Sequence, residues 1–190
     1  GKFVILMIGR LSNEKRQDVL IDAVKKSKYS DNIQLLLAGQ GPKYRALRRR
    51  GRRLKNPPRI RFYTHNELLN VIAMSDLYVH AADAEIEAIS CIEAFSSGLV
   101  PVIANSPKSA TPQFALCEQS LFEAGNSDDL ARRIDYWIEN EQERRRMEFA
   151  YSEHGKKYSL DYCVRQMETM FEDAIIESRQ EQEICPAKEC

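Results

Sequence analysis

Asp76-Leu-Tyr-Val-His-Ala81, Glu85-Ile-Glu-Ala-Ile-Ser-Cys-Ile-Glu93 and its continuation Ala94-Phe-Ser-Ser-Gly-Leu-Val-Pro-Val-Ile-Ala104 decide the fold. Leu77–His80 is a short apolar run that reads as a buried strand. Ser90–Ser97 follows with apolar residues at helical spacing, and Val100–Ile103 is a second apolar run. A strand, a helix and another strand of this kind imply parallel strands with a crossover helix. The same alternation holds outward in both directions. Strands are expected at Phe3–Ile8, Ile33–Leu37, Ile60–Tyr63 and Ser120–Phe122. Helices are expected near Asp18–Lys28, Lys43–Lys55, Asn66–Met74 and Ser127–Glu139. The fold class is therefore α/β, a doubly wound, Rossmann-like parallel sheet of about six strands. Ligands of such sheets gather at the carboxyl ends of the strands.

Glu85 and Glu93 stand at one of those ends. Glu85 follows the strand, Glu93 lies on the helix, and about two turns of helix, roughly 12 Å, would separate them. Between them lie helix N-terminal N–H groups, which suit phosphate. An anionic group flanked by hydroxyl-rich pieces fits, and a nucleotide-sugar is such a molecule.

At these residues the chain resembles the C-terminal, donor-binding half of the retaining GT-B glycosyltransferases (glycosyl transferases group 1). That signature is Glu, seven residues, Glu, then Gly and a Pro-Val strand, matched by Glu85, Glu93, Gly98 and Pro101-Val102. Three further stretches match in order: Ile8-Gly-Arg-Leu-Ser-Asn-Glu-Lys15, Leu35-Leu-Leu-Ala-Gly-Gln-Gly-Pro42, and Ile60-Arg-Phe-Tyr63 with Glu67-Leu68 and Ser75-Asp76-Leu77. The resemblance implies catalytic roles for Glu85, Arg10 and Lys15. It implies donor binding by Gly9, Arg10, Lys15, Gly39, Tyr63, Glu85, Ala88, Ser90 and Glu93. Arg10 and Lys15 would grip the diphosphate, Glu93 the ribose hydroxyls and Glu85 the sugar. The donor would be a nucleoside diphosphate sugar, with UDP favoured. The acceptor would be a lipid or saccharide hydroxyl, held through an N-terminal domain outside this chain. No metal and no other cofactor is expected, because cationic side chains and the helix dipole serve the leaving group.

The sequence also departs from the family. Ile86-Glu87-Ala88 stands where Gly-Phe-Gly-like residues are usual, and Asn105-Ser-Pro-Lys-Ser-Ala-Thr111 replaces a Gly-Gly turn. His65 and His80 read as structural histidines, and Phe62 as a core residue. Two alternatives share the fold or the charge. One is a dinucleotide-binding oxidoreductase domain, which the absence of Gly-x-Gly-x-x-Gly after the first strand disfavours. The other is a non-catalytic module that binds anionic lipid or protein.

Charge is neutral overall, with 28 Lys and Arg against 28 Asp and Glu. It is unevenly spread: Lys43 to Arg61 holds ten cations and no carboxylate. A solvated helix face and a peripheral contact with an anionic membrane both fit that segment. Nucleic acid fits less well, since aromatics are not interleaved. Five scattered cysteines without metal-ligand spacing point to a reducing, cytoplasmic setting.

Residues 1–158 are expected to form the donor-binding domain. Residues 159–178 read as a long helix with an apolar stripe including Leu160, Met167 and Phe171, which by resemblance crosses to the N-terminal domain. Residues 179–190 read as a polar, disordered tail, in which Cys185 and Cys190 close the chain. The abrupt start on Gly-Lys and a strand is what an excised fragment would show.

Overall fold

The structure is a computed structural model; it describes the backbone of residues 1–184 and the side chains of residues 1–178. Six strands are present: β1 (Phe3–Ile8), β2 (Ile33–Ala38), β3 (Arg59–Arg61), β4 (Leu77–His80), β5 (Pro101–Asn105) and β6 (Leu121–Glu123). All neighbours pair in parallel, in the order β3-β2-β1-β4-β5-β6. The order reverses direction between β1 and β4, and that point opens a crevice at the carboxyl edge. The helices among the described residues are α1 (Gln17–Lys26), α2 (Tyr44–Gly51), α3 (His65–Ala73), α4 (Ile89–Ser96), α5 (Ser127–Glu139), α6 (Glu141–Gly155) and α7 (Leu160–Ile184).

The central strands are largely apolar because helices cover both faces. Ile5, Leu6, Leu35, Leu37 and Val79 are fully buried. Register is continuous from Phe3 opposite Ile33 to Ile8 opposite Ala38. On the β6 side the core is aromatic. Trp137 is fully buried and its Nε1 donates to the Gln119 carbonyl at 3.1 Å. Phe95 packs against the rings of Phe114 and Tyr151. Both polar ends thus find a partner inside, since the Tyr151 hydroxyl accepts from Leu116 N–H at 2.9 Å.

Two expected elements are shorter than their sequence pattern. α2 ends at Gly51, against which the Pro58 ring packs, and does not reach Lys55. β3 begins directly after Pro57-Pro58 and stops at Arg61, so Phe62 and Tyr63 lie in the loop beyond it.

The chain divides into a compact unit, Gly1–Gly155, and a second unit from Lys156 onward. The second unit consists of a short 3-10 turn and α7. The expected tail begins later than Arg179, because α7 continues to Ile184. Gln180-Glu-Gln-Glu183 are unbranched residues that favour helix. Leu160, Met167 and Phe171 on α7 are exposed. The expectations for the rest of the tail, with Cys185 and Cys190, lie outside the described residues. No helix among the described residues is long and apolar enough to cross a membrane.

α1 and α5 are tied together by one buried carboxylate. Asp135 accepts from the buried Ser27 hydroxyl and from Lys28 N–H. Asp135→Ala should destabilise the domain by about 1–3 kcal/mol, because a buried hydroxyl and an N–H lose their acceptor. Urea unfolding of the two proteins checks this, and Asp135→Asn should recover part of the loss.

Candidate functional site

The loops that leave β1 and β2 are knitted together beyond the strands. Gly9 N–H donates to Ala38 O at 3.0 Å and Leu11 N–H to Gln40 O at 3.0 Å. Gly39 N–H continues the pattern to Arg61 O at 2.9 Å. A Cβ on Gly39 would stand 1.9 Å from the Gly9 carbonyl oxygen, so only glycine fits. Pulled this close, the two loops shape a cavity of about 630 Å³ at the ends of β1, β2 and β3. Gly9, Arg10, Gly39, Phe62, Tyr63 and Leu68 line it. Phe62 is 60 % exposed and faces this space, not the core. The early end of β3 releases it from the sheet, which corrects the sequence expectation. The Arg61 guanidinium lies over the Tyr63 ring, 4.6 Å from its centre.

A second group of residues occupies the β1–β4 side of the crevice. Lys15 forms an ion pair with Glu85, and both side chains are largely buried. The Lys15 stem runs past Gly9, where an added Cβ would meet it at 3.6 Å. Gly9 and Arg10 therefore sit between the cavity and this charged cluster. Arg16 pairs with Asp83 at 2.7 Å, and Asp83 N–H donates to Glu14 O at 2.9 Å. These contacts lock the β1 loop to the β4 loop. The Glu85 backbone is fixed from the other side: its carbonyl accepts from Ala110 N–H at 3.0 Å, within the loop that replaces the family's Gly-Gly turn. Lys108 in that loop is exposed.

Glu85 lies four residues before α4, not on it, and only Glu93 is helical. Ala88 is the N-cap, in the left-handed conformation at φ 48°, and no side chain caps the helix. An alanine thus adopts a conformation that favours glycine, at a cost of about 1–2 kcal/mol. The first N–H groups of α4 have no side-chain partner there. Ser90 Oγ is 3.2 Å from the buried Tyr78 hydroxyl, which is also 3.4 Å from His80 Nδ1. Burial holds the Tyr78 hydroxyl well above its ordinary pKa, and the nearby Cys91, Glu85 and Glu93 push the same way. Both signature carboxylates therefore bear on one buried ring, while the Glu93 side chain is half-buried on α4.

His80, the last residue of β4, lies beside the Lys15–Glu85 ion pair. It is 1 % exposed, and its Nε2 has no hydrogen-bond partner. That nitrogen faces Glu85 Oε2 at 3.7 Å, too far for a hydrogen bond. Burial first, then the Lys15 cation, lowers its pKa to about 4, against the pull of Glu85. The ring is neutral at pH 7. The tautomer that suits its surroundings accepts from Tyr78 on Nδ1 and points Nε2–H towards Glu85. The signal available in the sequence was its place as the last residue of a strand otherwise made of apolar and aromatic residues.

A sequence model of the glycosyl transferases group 1 family matches residues 1–153. This chain belongs to that family. Among solved structures, the catalytic domain of cholesterol-alpha-glucosyltransferase from Helicobacter pylori is 50 % identical, with a TM-score of 0.81. The match covers 84 % of this chain and all of that one. Anabaena HepE in complex with UDP shares the fold at 20 % identity and a TM-score of 0.80, over 90 % of this chain and 49 % of that one. The phosphatidylinositol N-acetylglucosaminyltransferase GPI3 subunit of Saccharomyces cerevisiae is 30 % identical over 111 residues. That stretch is 53 % of this chain and 23 % of the yeast protein, so the match takes in about a quarter of the curated relative. Group 1 membership sets aside the oxidoreductase reading of the same sheet.

Two outcomes follow from this group 1 site. Gly39→Ala forces the β1 and β2 loops apart; it should cost about 1–3 kcal/mol of stability and widen the cavity. Thermal unfolding and a crystal structure of the variant check it. For His80 the folded-state pKa lies below the unfolded value, so the unfolded chain binds the extra proton first. Stability should fall as pH drops from about 6.5 towards about 4, by up to about 1.4 kcal/mol per pH unit. Urea unfolding across that range should show a shallower slope for His80→Gln than for the unaltered chain.

Proposed function

We propose that this chain is the donor-binding half of a retaining glycosyltransferase that moves a hexose from a UDP-sugar to the hydroxyl of a lipid or saccharide. The observation that supports this most is the division of the crevice. An apolar, aromatic-edged cavity lies on one side of Gly9-Arg10, and the Lys15–Glu85–His80 cluster lies on the other. A base needs the first kind of surface, and a diphosphate and sugar need the second.

In this reading the base enters beside Gly39 and Tyr63, and Glu93 accepts from the two ribose hydroxyls. Arg10 and Lys15 hold the diphosphate, aided by the open N–H groups at Ala88 and Ser90. Glu85 binds the sugar hydroxyls. Charge builds on the diphosphate as the glycosidic bond breaks, and the same two cations stabilise it without a metal. Lys15 must then exchange its carboxylate partner for phosphate, while His80 Nε2–H remains beside Glu85. The 50 %-identical Helicobacter pylori domain is named for glucosyl transfer to cholesterol, which favours glucose and a lipid alcohol. The acceptor would be held by the other domain of such an enzyme, working on the cytoplasmic side of a membrane.

Calorimetry with UDP, GDP and uridine tests the reading. The chain should prefer UDP, and Arg10→Ala and Lys15→Ala should each weaken UDP by about 1.5–3 kcal/mol while leaving uridine nearly unchanged. Equal losses for UDP and uridine would mean that the two cations act through folding. A chain that binds no nucleoside diphosphate would overturn the proposal.

A further inference from the structure

Helix α2 carries a stripe of arginines that the donor site does not use. Arg45, Arg48, Arg49 and Arg52 recur at helical spacing and line one open concave surface together with Tyr44, Pro57 and Pro58. Leu47, Gly51 and Leu54 lie on the opposite side and are buried. The arginines thus point outward as a set. Arg53 and Arg59 extend the charge through the loop to β3, and both are exposed.

Pairing separates this face from the rest of the surface. Of the ten cations between Lys43 and Arg61, Arg50 pairs with Asp22, Lys55 with Asp31 and Arg61 with Glu67. Lys43, Arg45, Arg48, Arg49, Arg52, Arg53 and Arg59 have no ion-pair partner among the described residues. On α6, by contrast, Arg144, Arg145 and Arg146 each pair with a glutamate of the same helix. α2 also has cations in its first turn and no acid there. Like charges three and four residues apart destabilise a helix, and cations oppose its dipole at the N-terminus. An anionic surface laid against the stripe removes both penalties at once.

We propose that this arginine face docks the domain on an anionic phospholipid bilayer. Several unpaired guanidinium groups on one face can meet several phosphates at once, as the headgroups of a bilayer present them. Guanidinium groups pair with phosphate oxygens in a forked geometry. Tyr44, partly exposed at the edge, has the apolar ring and polar tip that settle at the headgroup level. The chain carries no net charge, so general attraction to a negative surface is weak and this patch must provide it. The inference concerns a surface apart from the crevice, and it stands whether or not the transfer reaction is as proposed.

Vesicle flotation tests it with the full chain. Binding should be absent on pure phosphatidylcholine, and appear with about 30 % phosphatidylglycerol. It should fall at least about tenfold between about 0.1 M and about 0.5 M salt. Arg48→Glu/Arg52→Glu should abolish it, and the milder Arg48→Gln/Arg52→Gln should weaken it several-fold with the melting temperature and UDP affinity unchanged. Arg145→Gln/Arg146→Gln, which alters paired arginines, should bind like the unaltered chain. Equal binding to neutral and anionic vesicles, no binding to either, or equal loss in the α6 control would overturn the proposal. So would a short RNA that displaces the chain from vesicles at matched phosphate concentration, since it would make this a nucleic-acid face.

Discussion

Much of this molecule depends on the approach of two backbones at Gly9 and Gly39. The β1 and β2 loops continue the strand ladder for several residues past the sheet, and a single methyl group at Gly39 would stop them. Their closeness leaves the cavity to be walled by the β3 loop, so Phe62 and Tyr63 turn outward. It also brings Arg10 to the rim and threads the Lys15 stem past Gly9 towards Glu85. A backbone contact with no side chain of its own thereby places an aromatic surface and a charged cluster on either side of one loop.

The charged cluster shows how a parallel sheet can gather chemistry that is far apart in sequence. β1 and β4 are neighbours, so Lys15 and Glu85 meet across the reversal of strand order. Arg16–Asp83 and the Asp83 N–H bond to Glu14 hold the two loops in register. His80 closes the cluster from below, neutral because burial and Lys15 disfavour its charge. The cluster is polar yet largely dry, so its charges are felt more strongly than they would be in open solvent.

The sheet was legible because its strands are buried on both faces and read as plain apolar runs. β1 and β4 fell where expected, and the other strands shifted by a residue or two at their ends. Of the signature residues, the structure brings Lys15 and Glu85 together, an approach that the spacing in the sequence left open. Three things were not legible. Phe62 looked like core because an aromatic beside a strand usually is; only the early end of β3 exposes it. His80 looked structural because the sequence does not reveal that Nε2 lacks a partner. Ile86-Glu-Ala88 looked like a loss of the glycine turn, but Ala88 takes a left-handed conformation of the kind glycine favours. Each of these depends on local backbone geometry, which periodicity does not encode.

The strand order also bears on how the domain assembles. β1 is at the centre, with Leu6 opposite Leu36 on one side and Tyr78 on the other. The first partner comes soon after β1 in the chain, whereas the second arrives only after two more helices and a strand have been made. Until then one edge of the most apolar strand is bare. Parallel pairings over such separations are slow to form, and an unpaired apolar edge invites association with other chains. The segment made first in this interval, Lys43–Arg61, carries ten like charges, and like charges on two chains oppose their association.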